Sequence, residues 1–143
     1  MKILVIDGHP DKESFCQEIF RTIVENIDSN RHELESINLN EIDFDPVLRY
    51  GYRKRMEEDS FILRSQELIQ WADHFIFVYP IWWSSMPSLL KGWIDRVFTP
   101  GIAYSANNRG SFILNYLRGK QFKKLLKGKT ASIYATSMAP TWW

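Results

Sequence analysis

Two groups of residues in this 143-residue chain have the types and spacing that could do chemistry. Pro80, Ile81, Trp82, Trp83 and Ser84 directly follow an apolar run, and two adjacent indoles in a loop offer faces for a planar aromatic ligand. Near the amino terminus, Gly8-His9-Pro10 leads through Asp11, Lys12 and Glu13 to Ser14, Phe15 and Cys16. A helix that starts at Ser14 presents unpaired amides and the positive end of its dipole, which favour an anion. The Ser14 hydroxyl and the His9 imidazole can add to that site. Each group also has a plainer reading. Ser14 with Gln17 three residues on forms a capping box and needs no ligand to explain it. His9 before a proline is a common turn residue, and Trp82 and Trp83 could equally plug the end of a sheet. G-x-G-x-x-G, P-loop and G-x-S-x-G patterns are absent, as is paired His/Cys spacing, so neither a metal site nor a side-chain nucleophile is expected.

The elements that must position these residues are legible from periodicity. Residues 2–7, led by Ile3-Leu4-Val5-Ile6, read as a buried strand, and residues 75–79, Phe-Ile-Phe-Val-Tyr, as another that stops at Pro80. Phe15, Ile19, Phe20, Ile23, Val24 and Ile27 give a helix one apolar face. Residues 32–38 alternate as a second, partly exposed strand, and residues 40–55 read as a surface excursion. Residues 57–71 read as a second helix, and a third opens at Pro87 after the serines and buries Leu89, Leu90, Trp93, Ile94 and Val97. Residues 99–129 read as irregular, with a basic tract from Arg118 to Lys129 on a solvated helix face and loop; residues 130–135 read as a fourth strand. The expected fold is α/β, a doubly wound parallel sheet in strand order 2-1-3-4, forming one domain over residues 1–143. A fifth strand and last helix, usual in such domains, are expected to be missing, which leaves strand four an open edge. In that order the two loops flank one crevice at the carboxyl ends of neighbouring strands. A phosphate at one lip and a planar ring at the other describe FMN or FAD.

Composition narrows the partners. The net charge of +1 gives no electrostatic case for nucleic acid or an anionic membrane. One cysteine excludes an internal disulfide framework and fits a reducing compartment. No apolar run approaches a membrane span, and the first strand runs into a polar loop with no cleavage site, so a cytoplasmic protein is expected.

The segment from Gly8-His9-Pro10 to Ser14-Phe15 resembles the phosphate-binding opening of the flavodoxin-like NAD(P)H:quinone oxidoreductases, the DT-diaphorase and general-stress-protein type. Pro80-Ile81-Trp82-Trp83 through Pro87-Ser88-Leu89-Leu90-Lys91-Gly92-Trp93-Ile94-Asp95-Arg96-Val97-Phe98, with Ala103-Tyr104, is similar to that family's signature at good length and register. The resemblance implies a flavin, with FMN preferred slightly over FAD. His9, Ser14, Phe15 and Cys16 would then hold the phosphate side, with Cys16 where many relatives have asparagine. Pro80, Ile81, Trp82, Trp83 and Ser84 would line the ring, and the turn Ala135-Thr136-Ser137 would meet its other edge. It also implies two-electron transfer from NAD(P)H to a quinone-like acceptor by ping-pong hydride transfer, and homodimers meeting at the segment 93–104. The residues with which relatives polarise the substrate would fall beyond Trp143, so no catalytic side chain is assigned. Two other readings are a flavoprotein accessory subunit of a potassium-efflux system and an inactive, truncated family member.

Overall fold

The computed structural model describes residues 1–106 and 122–138. Ten short elements follow in order: β1 (Lys2–Asp7), α1 (Phe15–Asn26), β2 (Glu33–Asn38), a 3-10 turn (Leu39–Glu41), α2 (Ser60–Trp71), β3 (His74–Pro80), α3 (Ser88–Val97), β4 (Tyr104–Ala106), β5 (Phe122–Lys124) and β6 (Thr130–Thr136). Four of the strands make a parallel sheet in the order β2-β1-β3-β6. The β1–β3 register runs from Ile3 opposite His74 to Asp7 opposite Val78, and the β3–β6 register from His74 opposite Thr130 to Pro80 opposite Thr136. The expected fourth strand is thus β6. The observed order is the expected 2-1-3-4.

Strand parity divides the core. Ile3, Val5, Ile76 and Val78 point to one face and pack with Cys16 and Phe20 of α1. Leu4, Ile6 and Phe75 point to the other and pack with Ile62, Leu68 and Ile69 of α2 and with Leu90, Trp93 and Val97 of α3. Each such side chain contributes about 1.5–3 kcal/mol when fully buried. The Trp93 indole N–H donates to Ser65 Oγ at 3.0 Å, so α2 and α3 share a satisfied polar contact within an apolar layer. Gly92 lets the 40–59 excursion close on α3, since a Cβ there would lie 2.5 Å from the Pro46 carbonyl oxygen.

Several expectations are corrected. Pro80 ends β3 from inside the ladder, opposite Thr136, rather than just outside it. The second helix starts at Ser60 rather than residue 57, because the Asp59 carboxylate caps it by accepting from the Phe61 and Ile62 amides at 2.9 and 3.3 Å. The third helix has Pro87 as its N-cap and no side-chain cap, so the serines before it do not start it. Residues 99–129 are not uniformly irregular: β4 and β5 form a two-stranded antiparallel ladder, Tyr104 opposite Lys124 and Ala106 opposite Phe122. Lys123 and Lys124 therefore lie on a strand rather than on a helix face. Arg118, Lys120, Trp142 and Trp143 lie outside the described residues. Among the described residues no helix is long and apolar enough to cross a membrane.

Candidate functional site

The cleft is set by three strand ends. Gly8 follows β1, and its amide donates to Val78 O at 2.8 Å, carrying the β1–β3 ladder one residue into the loop. A side chain on Gly8 would collide with Leu90 of α3, which holds the backbone close to that helix. The next residue, His9, is fixed from two sides. Its amide donates to Asp7 Oδ1 at 2.9 Å, and its Nδ1 accepts from the Asp11 amide at 2.9 Å. With Nδ1 committed as an acceptor, the neutral ring carries its proton on Nε2. The His9 ring meets the Trp82 ring edge-to-face, with centroids 5.4 Å apart and planes at 75°. The two loops expected to flank one crevice are therefore in contact.

Ser14 is the N-cap of α1, and its Oγ accepts from the Gln17 amide at 3.2 Å. The capping box is only half made. The Ser14 amide donates to Asp11 O, while the Gln17 side chain turns inward and accepts from Asn38 and Asn40, each at 3.0 Å. Asn40 also donates to His9 O at 3.2 Å, tying the loop to the chain after β2. Phe15 and Cys16 open the helix, so their amides have no intrahelical acceptor. The Phe15 side chain is 72% exposed, whereas Cys16 is buried. Cys16 Sγ lies 3.2 Å from Thr136 Oγ1, at the end of β6. Burial pushes the Cys16 thiol up, against the lowering effect of the Thr136 hydroxyl, and the Asp7 charge adds to the rise. A thiol held protonated is not a nucleophile.

On the other lip, Trp82 and Ser85 exchange two backbone hydrogen bonds, Trp82 N to Ser85 O at 2.9 Å and Ser85 N to Trp82 O at 3.0 Å. The two residues between them, Trp83 and Ser84, both have positive φ, 51° and 60°. This is the geometry of a type I′ turn built without the usual Asn or Gly. The backbone of such a turn aims the amides of its two central residues outward, and neither Trp83 N nor Ser84 N has a protein acceptor among the described residues. Trp82 is 45% exposed and Trp83 fully exposed, so neither plugs the sheet. Ile81 is exposed, and its amide donates to Thr136 O at 2.8 Å, while Pro80 beneath it is buried. Ala135 and Thr136 belong to β6 itself rather than to a turn after it, with Ser137 following.

These contacts bring eleven of the expected residues, His9, Ser14 to Cys16, Pro80 to Ser84 and Ala135 with Thr136, to one end of the sheet; Ser137 continues from it. Trp93 and Val97, within the segment expected to meet a second copy, are fully buried in the chain's own core and cannot serve an interface. Asp7 was missed. It is fully buried at the end of β1, on the α1 face by parity with Ile3 and Val5, and its Oδ2 has no hydrogen-bond partner among the described residues. Burial pushes its carboxyl above the usual range, against the lowering effect of the His9 amide and of the His9 charge. The signal was an acid ending an apolar strand, Ile6-Asp7-Gly8. Two cavities of about 530 and 560 Å³ lie elsewhere, between the excursion and α2–α3, and none of the expected site residues lines them.

Known proteins agree with this architecture. A family model described as a flavodoxin-like fold matches residues 1–142. The chain is 31% identical to a ribosyldihydronicotinamide dehydrogenase-like protein, traD, of Penicillium crustosum, over 73% of this chain and 46% of that protein. It is 29% identical to the ribosyldihydronicotinamide dehydrogenase (quinone) of Mus musculus, over 93% of this chain and 66% of that one. The crystal structure of Smu.1420 from Streptococcus mutans UA159 superposes with a TM-score of 0.79 at 35% identity, covering 99% of this chain and 71% of the other. The chain thus spans about half to two thirds of the length of these curated relatives. With the sheet order, the His9–Trp82 crevice and these matches in agreement, the chain belongs to the flavodoxin-like NAD(P)H:quinone oxidoreductase family.

Proposed function

We propose that the crevice between the His9 and Trp82 loops holds a flavin and that the chain is a flavin-dependent NAD(P)H oxidoreductase. The observation that carries this reading is the His9–Trp82 contact, which puts an anion-favouring helix start beside exposed indoles. The residues fit such a ligand. The Phe15 and Cys16 amides and the His9 Nε2–H are donors for a phosphate, and Ile81, Trp82 and Trp83 are apolar surface for a ring. The Trp83 and Ser84 amides, held outward by the turn, are donors for negative charge on that ring. When bound, the flavin supplies the redox chemistry, accepting a hydride from the nicotinamide and passing two electrons to a quinone-like acceptor in a separate half-reaction.

The chain's own part is to bind, orient and exclude water. The strained turn fixes the amides before any ligand arrives, so no reorganisation is needed when charge develops. The Cys16–Thr136 contact holds the α1 start against the end of β6, which sets the width of the cleft. The names of the relatives support a quinone as acceptor. FMN, whose single phosphate the α1 start suffices to hold, is the preferred flavin. A homodimer with its active site at the subunit boundary and a cytoplasmic setting complete the proposal.

The test is an absorbance spectrum of the purified chain with mass analysis of any released cofactor, followed by NAD(P)H oxidation with a quinone. A yellow protein that releases FMN or FAD and turns over supports the reading. A colourless protein whose indole fluorescence is unchanged by either flavin overturns it.

A further inference from the structure

Resting on the flavin reading, the fate of Asp7 extends it. Asp7 is wholly enclosed, with Oδ1 accepting from the His9 amide and Oδ2 without a partner among the described residues. It sits on the α1 face of the sheet, in the layer that holds Cys16, the second residue of the helix. A ligand phosphate at the start of α1 would therefore lie on the same face and at the same strand end as this buried carboxyl. Two negative charges at close range in a low-dielectric setting are strongly unfavourable, by several times their cost in water. From these contacts we infer that Asp7 takes up a proton from solvent when a phosphate ester docks on the amino terminus of α1, so that anion binding and an ionised Asp7 exclude one another.

The proton goes to Oδ2, since Oδ1 is occupied by the His9 amide. The resulting hydroxyl lacks an acceptor among the described residues, and a phosphoryl oxygen would supply one. The balance is one carboxylate and one solvent proton giving one carboxylic acid. The other groups around Asp7 do not replace it in this role. From its own loop His9 faces it, and from α1 the protonated thiol of Cys16 does. Its register partners are the neutral Asn38 on β2 and the apolar Val78 on β3. Asp11, Lys12 and Glu13 are exposed at the mouth. Burial already holds the Asp7 carboxyl above its usual range, which favours the protonated form in the same sense.

The experiment titrates FMN and riboflavin into wild-type and Asp7→Asn protein between about pH 5 and 8, reading flavin fluorescence. In wild type the Kd for FMN should rise with pH by up to about tenfold per unit beyond the slope set by the phosphate's own ionisation. In Asp7→Asn that extra slope should vanish, with tighter FMN binding at the alkaline end. Riboflavin, which has no phosphate, should show no extra slope in either protein. Calorimetry of FMN binding to wild type in buffers of different ionisation enthalpy should register net proton uptake, which needs no variant. Equal FMN slopes in the two proteins, or no proton uptake by wild type, overturn the inference and leave the flavin reading standing. Absence of FMN binding at every pH overturns both.

Discussion

Cys16 Sγ and Thr136 Oγ1 lie 3.2 Å apart although 120 residues separate them in sequence. The pair joins the first turn of α1 to the last residue of β6, the two boundaries of the cleft that do not share a loop. Replacing Thr136 with valine keeps the shape and removes the hydroxyl. The expected loss is about 0.5–1.5 kcal/mol of stability, read as a shift in urea midpoint, with weaker flavin retention. Because the thiol is buried and pushed up, a thiol reagent should label native Cys16 far more slowly than the unfolded chain. Equal labelling rates would contradict the contact.

The turn at Trp83 and Ser84 stores backbone strain. Non-glycine residues in the left-handed region cost on the order of 1 kcal/mol each. Ser84→Gly should therefore raise the unfolding free energy by about 1 kcal/mol, measured by denaturant titration. Trp83→Gly should relieve similar strain and also delete an exposed indole. Its expected signature is a protein more stable than wild type that binds the flavin ring more weakly.

Gly92 faces the Pro46 carbonyl at a separation that no Cβ can occupy. Gly92→Ala should destabilise the chain by about 1–3 kcal/mol, as overpacking does. The Cβ and backbone of Pro46 must move, so the excursion should become more susceptible to proteolysis near residue 46. A midpoint unchanged from wild type would mean that the excursion does not pack there.

Asp7 sets a pH dependence on the ligand-free protein. Its carboxyl is raised in the fold, so the folded chain binds more protons than the unfolded one between the ordinary aspartate value of 3.8 and the raised value. Stability then falls as pH climbs through that window, and what is lost is not regained above it. Asp7→Asn cannot ionise. Its stability should be flatter with pH, and it should gain on wild type toward neutral pH, measured by thermal or urea unfolding at several pH values. Parallel profiles would show that Asp7 is not raised.

Much of this was visible in the sequence, for reasons tied to particular residues. Ile3 to Ile6 are buried, as are Phe75, Ile76 and Val78 with Phe77 half-buried between them, and such two-faced strands write continuous apolar runs. Ser14 was legible as a cap because its hydroxyl has a local job within three residues. The Trp83–Ser84 turn was not legible, since the usual sign of paired positive φ is Asn-Gly, and an indole beside a serine carries no such sign. The same loop misled the start of α3, because serines that resemble caps are used to close the turn. The β4–β5 ladder was missed because its two strands are three residues each and rest on pairing across a long gap. Asp7 escaped notice because a strand's last residue looks like the beginning of a loop; only the register shows it to be wholly enclosed.

The two anchors on His9 have one more consequence. The Asp7 carboxylate holds the His9 main chain and the Asp11 amide holds the ring at Nδ1, so the orientation of the imidazole is set by the fold itself. A free histidine side chain surrenders rotational freedom when it is captured, a cost that weakens association. Here that loss was incurred during folding. A ligand docking on this ring would then find it already set, with no further rotational freedom to surrender.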